Sequence, residues 1–170
     1  ASLEDGTAVY IKSITAFADY YSGYGWYGQL SQYGISNTEM YKLFMAEDET
    51  LEFTGTPVDV DDTPISLAPG WNWIGYTPQV SLDINTALSN IGNDNASYIK
   101  SQAGFADYYS GYGWYGQLAS MSPFVGYQIY MLNSDEFTYS LGDGVFTSEN
   151  LDELSKNITI EDQINNFNIH

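Results

Sequence analysis

The stretch FADYYSGYGWYGQL occurs twice, at residues 17–30 and again at 105–118, an offset of 88 positions. Fourteen identical residues do not recur by chance, so the chain carries an internal duplication. The match extends upstream, where Ala8-Val9-Tyr10-Ile11-Lys12-Ser13 aligns with Ala96-Ser97-Tyr98-Ile99-Lys100-Ser101. Downstream the letters diverge while the pattern persists. Tyr41-Lys42-Leu43-Phe44-Met45 answers to Tyr127-Gln128-Ile129-Tyr130-Met131, with two extra residues in the first copy. An acidic turn follows each, and then the apolar-alternating stretch Leu51-Glu52-Phe53 or Phe137-Thr138-Tyr139. Short alternating runs punctuated by Gly predict antiparallel strands and hairpins.

Only the later copy has a front half. Pro64 to Gly70 leads into Trp71-Asn72-Trp73-Ile74-Gly75-Tyr76, a strand with Trp71 and Trp73 on one face and Ile74 and Tyr76 on the other. A short helix is expected over 81–91. Ile84, Leu88 and Ile91 share one face, with Ser81 as N-cap and Gly92 as the stop. Ala1-Ser2-Leu3 aligns with Ser89-Asn90-Ile91, the end of that helix. The expected fold is therefore α+β, mainly antiparallel β, with two tandem related units, the first lacking its N-terminal strand and helix. Residues 1–62 form the partial unit, 63–142 the complete one, and 143–170 a C-terminal tail that caps or is donated.

A sheet face without its cover exposes apolar surface and an open edge. Three sources could complete it: residues upstream in a longer array, the tail of the same chain, or the tail of a neighbouring molecule. In the tail, Leu151, Leu154 and Ile158 share a face of a capped helix, and Ile160, Ile164 and Phe167 continue the apolar pattern. These six are the expected assembly residues. Donation to a neighbour would run head to tail and build a filament.

Composition narrows the partners. The chain has four Lys, no Arg and 22 acidic residues, for a net charge of −18. Binding a nucleic-acid backbone needs cationic side chains to displace counterions, so nucleic acid is excluded as an expected partner. Anionic lipid is disfavoured for the same reason. No apolar run approaches the ~18 residues that a spanning helix needs, so no membrane insertion is expected. The sequence starts at Ala1 and reads as a mature product or a piece of something longer.

Chemistry is limited in the same way. With no Cys and a single His at position 170, Ser–His and Cys–His nucleophilic systems and zinc sites built from those ligands are not expected. Asp19 and Asp107 are the duplicated acids, yet symmetric copies would hold them apart rather than across one cleft. No catalytic residue, enzyme activity or cofactor is expected. Calcium candidates are Asp59, Asp61 and Asp62, and Asn93, Asp94 and Asn95. Neither group has EF-hand spacing, and a solvated linker and a polar turn explain them as well.

The duplicated aromatic stretch is the candidate for recognition. Its Gly residues predict a hairpin with Tyr24 or Tyr112 near the tip. Tyr21, Tyr24, Trp26 and Tyr27, with Tyr109, Tyr112, Trp114 and Tyr115, are the candidate ligand or partner residues. Exposed Tyr and Trp present flat amphipathic faces suited to sugar rings or a protein partner, while Trp in a short β unit also serves as core.

The strings GWNWIGYTP, SLDINTALSNI, YIKSQAGFADYYSGYGWYGQL and GYQIYM resemble repeat units of large secreted or surface proteins of Bacteroidetes-type bacteria. The likeness covers residues 64–141 fully and 8–56 in part. It implies an extracellular location and modularity, not an activity. One departure is Pro123-Phe124-Val125-Gly126-Tyr127, where such units have Pro-Gly-x-Gly-Tyr, so an altered turn is expected there. The expected function is a non-catalytic extracellular structural or adhesive module that packs on itself or on neighbouring repeats. The alternative is a carbohydrate-binding module using the Tyr/Trp hairpin.

Overall fold

Tyr, Ile, Val and Phe alternate with polar residues along short runs, and Gly or Asp closes each run, a pattern that favours pleated strands over helix. In a computed structural model, which describes residues 3–51 and 55–142, these runs form antiparallel sheets. The chain divides into two units, Ala1–Ser140 and Leu141–His170, and every element named below lies in the former. In chain order they are β1 (Ala8–Lys12), β2 (Phe17–Tyr21), β3 (Gly25–Gly28), α1 (Gln29–Tyr33), β4 (Lys42–Met45), β5 (Ile65–Leu67), β6 (Gly70–Ile74) and β7 (Leu82–Asp83). Then come α2 (Ile84–Ala87), β8 (Ala96–Lys100), β9 (Phe105–Tyr109), β10 (Gly113–Gly116), β11 (Ser120–Met121), β12 (Tyr127–Met131) and β13 (Asp135–Phe137).

Two sheets dominate. The first has strand order β3-β2-β1-β4 and the second β10-β9-β8-β12-β6. Their shared strands pair in the same register. Tyr10, Ile11 and Lys12 face Asp19, Ala18 and Phe17, as Tyr98, Ile99 and Lys100 face Asp107, Ala106 and Phe105. Trp26 lies opposite Tyr20 as Trp114 lies opposite Tyr108. A Cβ at Gly28 or Gly116 would overlap the carbonyl oxygen of Phe17 or Phe105 across the ladder, so each hairpin closes only with glycine there.

The sheets part company at their margins. The second gains β6, which pairs with β12 over Gly70–Ile74. After Leu118 the chain forms β11, which pairs with β7. The corresponding place after β3 is α1, a five-residue helix that alternation alone does not predict. Here the sequences diverge, and among the described residues no β7-like strand lies beside the first sheet. The expected helix over 81–91 is also shorter. Residues 82–83 are spent on β7, and α2 covers only Ile84–Ala87. Asp83 replaces Ser81 as the cap, its carboxylate accepting from Asn85 N (2.9 Å) and Thr86 N (3.3 Å). Ser81 instead bonds the Ser122 hydroxyl.

Backbone hydrogen bonds join residues of the two repeats. Gly75 N donates to Thr38 O (2.9 Å) and Met40 N to Trp73 O (3.3 Å), along the outer edge of β6. β13 pairs with β5, and the following Tyr139 is fully buried, donating its hydroxyl to Gly75 O at 2.8 Å. Tyr76 and Phe137 pack edge-on against Tyr139, and Tyr127 against Tyr76. Burial pushes the phenols of Tyr76, Tyr127 and Tyr139 above their ordinary pKa. Phe124 takes φ +65°, the left-handed region that glycine favours.

Candidate functional site

One face of each sheet carries the same apolar residues. In the second sheet these are Ala96, Ile99, Ala106, Trp114, Leu118 and Ile129, all buried. β7 and α2 supply the cover, with Leu82, Ile84, Ala87 and Leu88 buried in turn. In the first sheet the counterparts are Ala8, Ile11, Ala18, Trp26, Leu30 and Leu43. Ala8, Ala18 and Leu30 remain buried, but Ile11, Trp26 and Leu43 are only half-buried. All six line an open groove of about 610 Å³, together with Ile35, Leu51 and Leu3, the last of which aligns with Ile91.

A polar contact marks where α2 sits. Asn85 Oδ1 accepts from Trp114 N (2.6 Å), and Asn85 Nδ2 donates to Trp114 O (3.2 Å). This clamps the main chain of edge strand β10. A Cβ at Gly113 would overlap Asn85 Oδ1, whereas a Cβ at the equivalent Gly25 meets nothing within 4 Å. Among the described residues no side chain clamps Trp26.

Other features follow the duplication with small changes. Asp5 accepts from Tyr20 OH (2.6 Å), Ser22 Oγ (2.9 Å) and Gly23 N (3.2 Å). These donors, Tyr20 foremost, hold its carboxyl below the ordinary carboxylate range. At the matching place Asn93 accepts from Tyr108 OH at 3.4 Å. Asp19 and Asp107 sit one in each sheet, at matching register positions.

The eight aromatic candidates divide by face. Tyr24 and Tyr112 stand at the hairpin tips, 80% and 79% exposed. Tyr21 and Tyr27 flank the first tip with ring centroids 5.8 Å apart, and Tyr109 and Tyr115 flank the second at 6.1 Å. All four are exposed, and Tyr21, Tyr24 and Tyr27 line one shallow concavity. Trp26 and Trp114 do not join them. Each turns to the opposite face, packing edge-on against Tyr20 (5.1 Å) or Tyr108 (5.3 Å). Trp114 is 5% exposed and cannot serve as a surface residue.

Sequence reading missed one further cluster. On the outer face of the second sheet Trp71 packs edge-on against Tyr98 and Tyr130, and Lys100 lies 4.5 Å from the Trp71 ring. Alternation puts Tyr98 and Lys100 on one face, but their meeting with Trp71 depends on β12 lying between β8 and β6, which sequence does not give.

Of the calcium candidates, Asp59 accepts from Asp61 N (3.1 Å), and Asn95 Nδ2 donates to Asp135 (3.2 Å). Among the described residues no three His, Cys, Asp or Glu side chains group to hold a metal ion. Leu151, Leu154, Ile158, Ile160, Ile164 and Phe167 lie outside the described residues. Among the described residues no helix is long and apolar enough to cross a membrane. Comparison with protein-family models, with curated proteins and with solved structures gives no match.

Proposed function

We propose that the chain is a non-catalytic structural and adhesive module of a secreted or surface protein. It comprises two tandem related units, the first without its front strand and helix. The observation that carries this reading is the paired comparison of one apolar face. Six matching residues are buried in the second sheet, while their six counterparts line an open groove in the first and three of them are only half-buried. A face built to be covered, but left partly open among the described residues, packs against a neighbour. Acidity, the Tyr- and Gly-rich composition and the repeat resemblance support an extracellular setting. Native mass measured over a hundredfold range of concentration tests the packing. The wild-type chain is expected to associate as concentration rises, and Leu43→Asp, which places a charge in the groove, to remain monomeric at every concentration. Equal association of both proteins would refute groove-mediated packing.

A second reading, carbohydrate binding, is favoured by the two tyrosine hairpins. Each presents three exposed phenol rings in the same arrangement, on the face away from the groove. Tyr rings stack on the apolar faces of sugars while their hydroxyls stay wet. Tyr24→Ala combined with Tyr112→Ala is expected to lower affinity for a recognised polysaccharide at least about tenfold, at about 1–1.5 kcal/mol per lost aromatic contact. Unchanged retention of the double variant in affinity electrophoresis would remove the hairpins from consideration.

A further inference from the structure

The chain contains its own template for what fills the groove. The second sheet holds a strand–helix segment, residues 80–91, on a surface whose residues recur in the first sheet as Ala8, Ile11, Ala18, Trp26 and Leu30, with Leu43 for Ile129. Two features of that segment do the holding. Ile84, Ala87 and Leu88 are buried, and Asn85 makes its two hydrogen bonds to the main chain of Trp114. Trp114 lies opposite Tyr108 with its N–H and C=O turned outward to Asn85. Trp26 lies opposite Tyr20 in the same ladder position on edge strand β3, so its N–H and C=O also turn outward. The open space beside Gly25 is where the asparagine would sit.

We infer that this groove is the docking site for a strand–helix segment of a neighbouring repeat unit. That segment has the chemistry of residues 80–91: an Asp-capped turn of helix with Ile, Ala and Leu on its buried face and an asparagine that clamps the Trp26 main chain. The inference rests on the proposed role as a packing module and names what packs. Apolar contact supplies the affinity, and the asparagine sets the register, because a backbone donor and acceptor left dry and unpaired oppose any shifted placement.

The test uses the full chain, isotopically labelled, titrated with a peptide of residues 79–92 and followed by amide and methyl resonances. Saturable shifts at the Trp26 amide and the Ile11 and Leu43 methyls are expected. The peptide carrying Asn85→Ala is expected to bind about tenfold more weakly, as the loss of two hydrogen bonds implies. A peptide of residues 147–160 is titrated beside it. Tighter binding of that peptide at the same resonances would assign the groove to the tail and overturn the inference. No binding of the 79–92 peptide, or shifts away from Trp26, would overturn it too. Self-association is read separately. Peptide binding by a chain that stays monomeric at all concentrations would leave the docking site standing and remove only the self-packing role.

Discussion

Trp114→Ala is expected to cost about 3–5 kcal/mol of folding stability, and Trp26→Ala less than half as much, about 1–2 kcal/mol. The two residues sit at the same place in an identical fourteen-residue stretch, in ladders of the same register. Each keeps its edge-on tyrosine, at 5.1 Å in one sheet and 5.3 Å in the other. What differs is the roof. Trp114 is sealed beneath α2 with its main chain held by Asn85, so truncation leaves a cavity as well as losing the transfer energy of the ring. Trp26 already faces the open groove, and truncation there widens a space that solvent reaches. Urea denaturation of the two variants beside the parent measures the difference directly. Equal costs would mean that the cover contributes nothing and that the hairpins alone set the stability of both sheets.

The repeated stretch and the mainly antiparallel β character were legible in the residues. Identical letters produce an identical register, but alternation alone would set Ala8 and Ile11, or Ala96 and Ile99, on opposite faces, and they share one because the pairing with β4 or β12 shifts register between them. The helix was placed correctly but drawn too long. Its apolar spacing, Ile84, Leu88 and Ile91, continues past Ala87 into turns, and Leu82 and Asp83 were claimed by β11, a tertiary pairing that no local signal announces. The groove was legible as an absence. Its polar anchor was not, because Asn85 looks like any solvent-facing helix residue until the edge strand β10 is set beside it. The tyrosine tips could be read from Gly23 and Gly25, or Gly111 and Gly113, which take positive φ and turn the hairpin. The inward turn of Trp26 and Trp114 follows from the same alternation once the register is known. The cluster around Trp71 depends on a non-local neighbour and lay beyond what the sequence shows.

The second large effect is a gain. Because Ala1-Ser2-Leu3 aligns with Ser89-Asn90-Ile91, a copy of residues 63–88 joined directly before Ala1 recreates the front half in register. The added Ile, Ala and Leu would bury themselves against Ile11, Trp26 and Leu43, and each fully covered aliphatic or aromatic side chain contributes about 1.5–3 kcal/mol before the ordering of the new segment is offset. A net gain of only about 2 kcal/mol raises the unfolding midpoint of a chain this size by about 4–8 °C. Thermal unfolding of the grafted protein beside the parent therefore bears most directly on the central claim, that the first sheet is an incomplete copy whose groove awaits the cover the second already has. The expected result is one cooperative transition at a midpoint higher by at least those few degrees, with the Trp26 indole N–H resonance of the folded protein moved toward that of Trp114. An unchanged or lowered midpoint, with Trp26 as exposed as before, would contradict the claim: the groove would then be a finished surface and not a vacant seat.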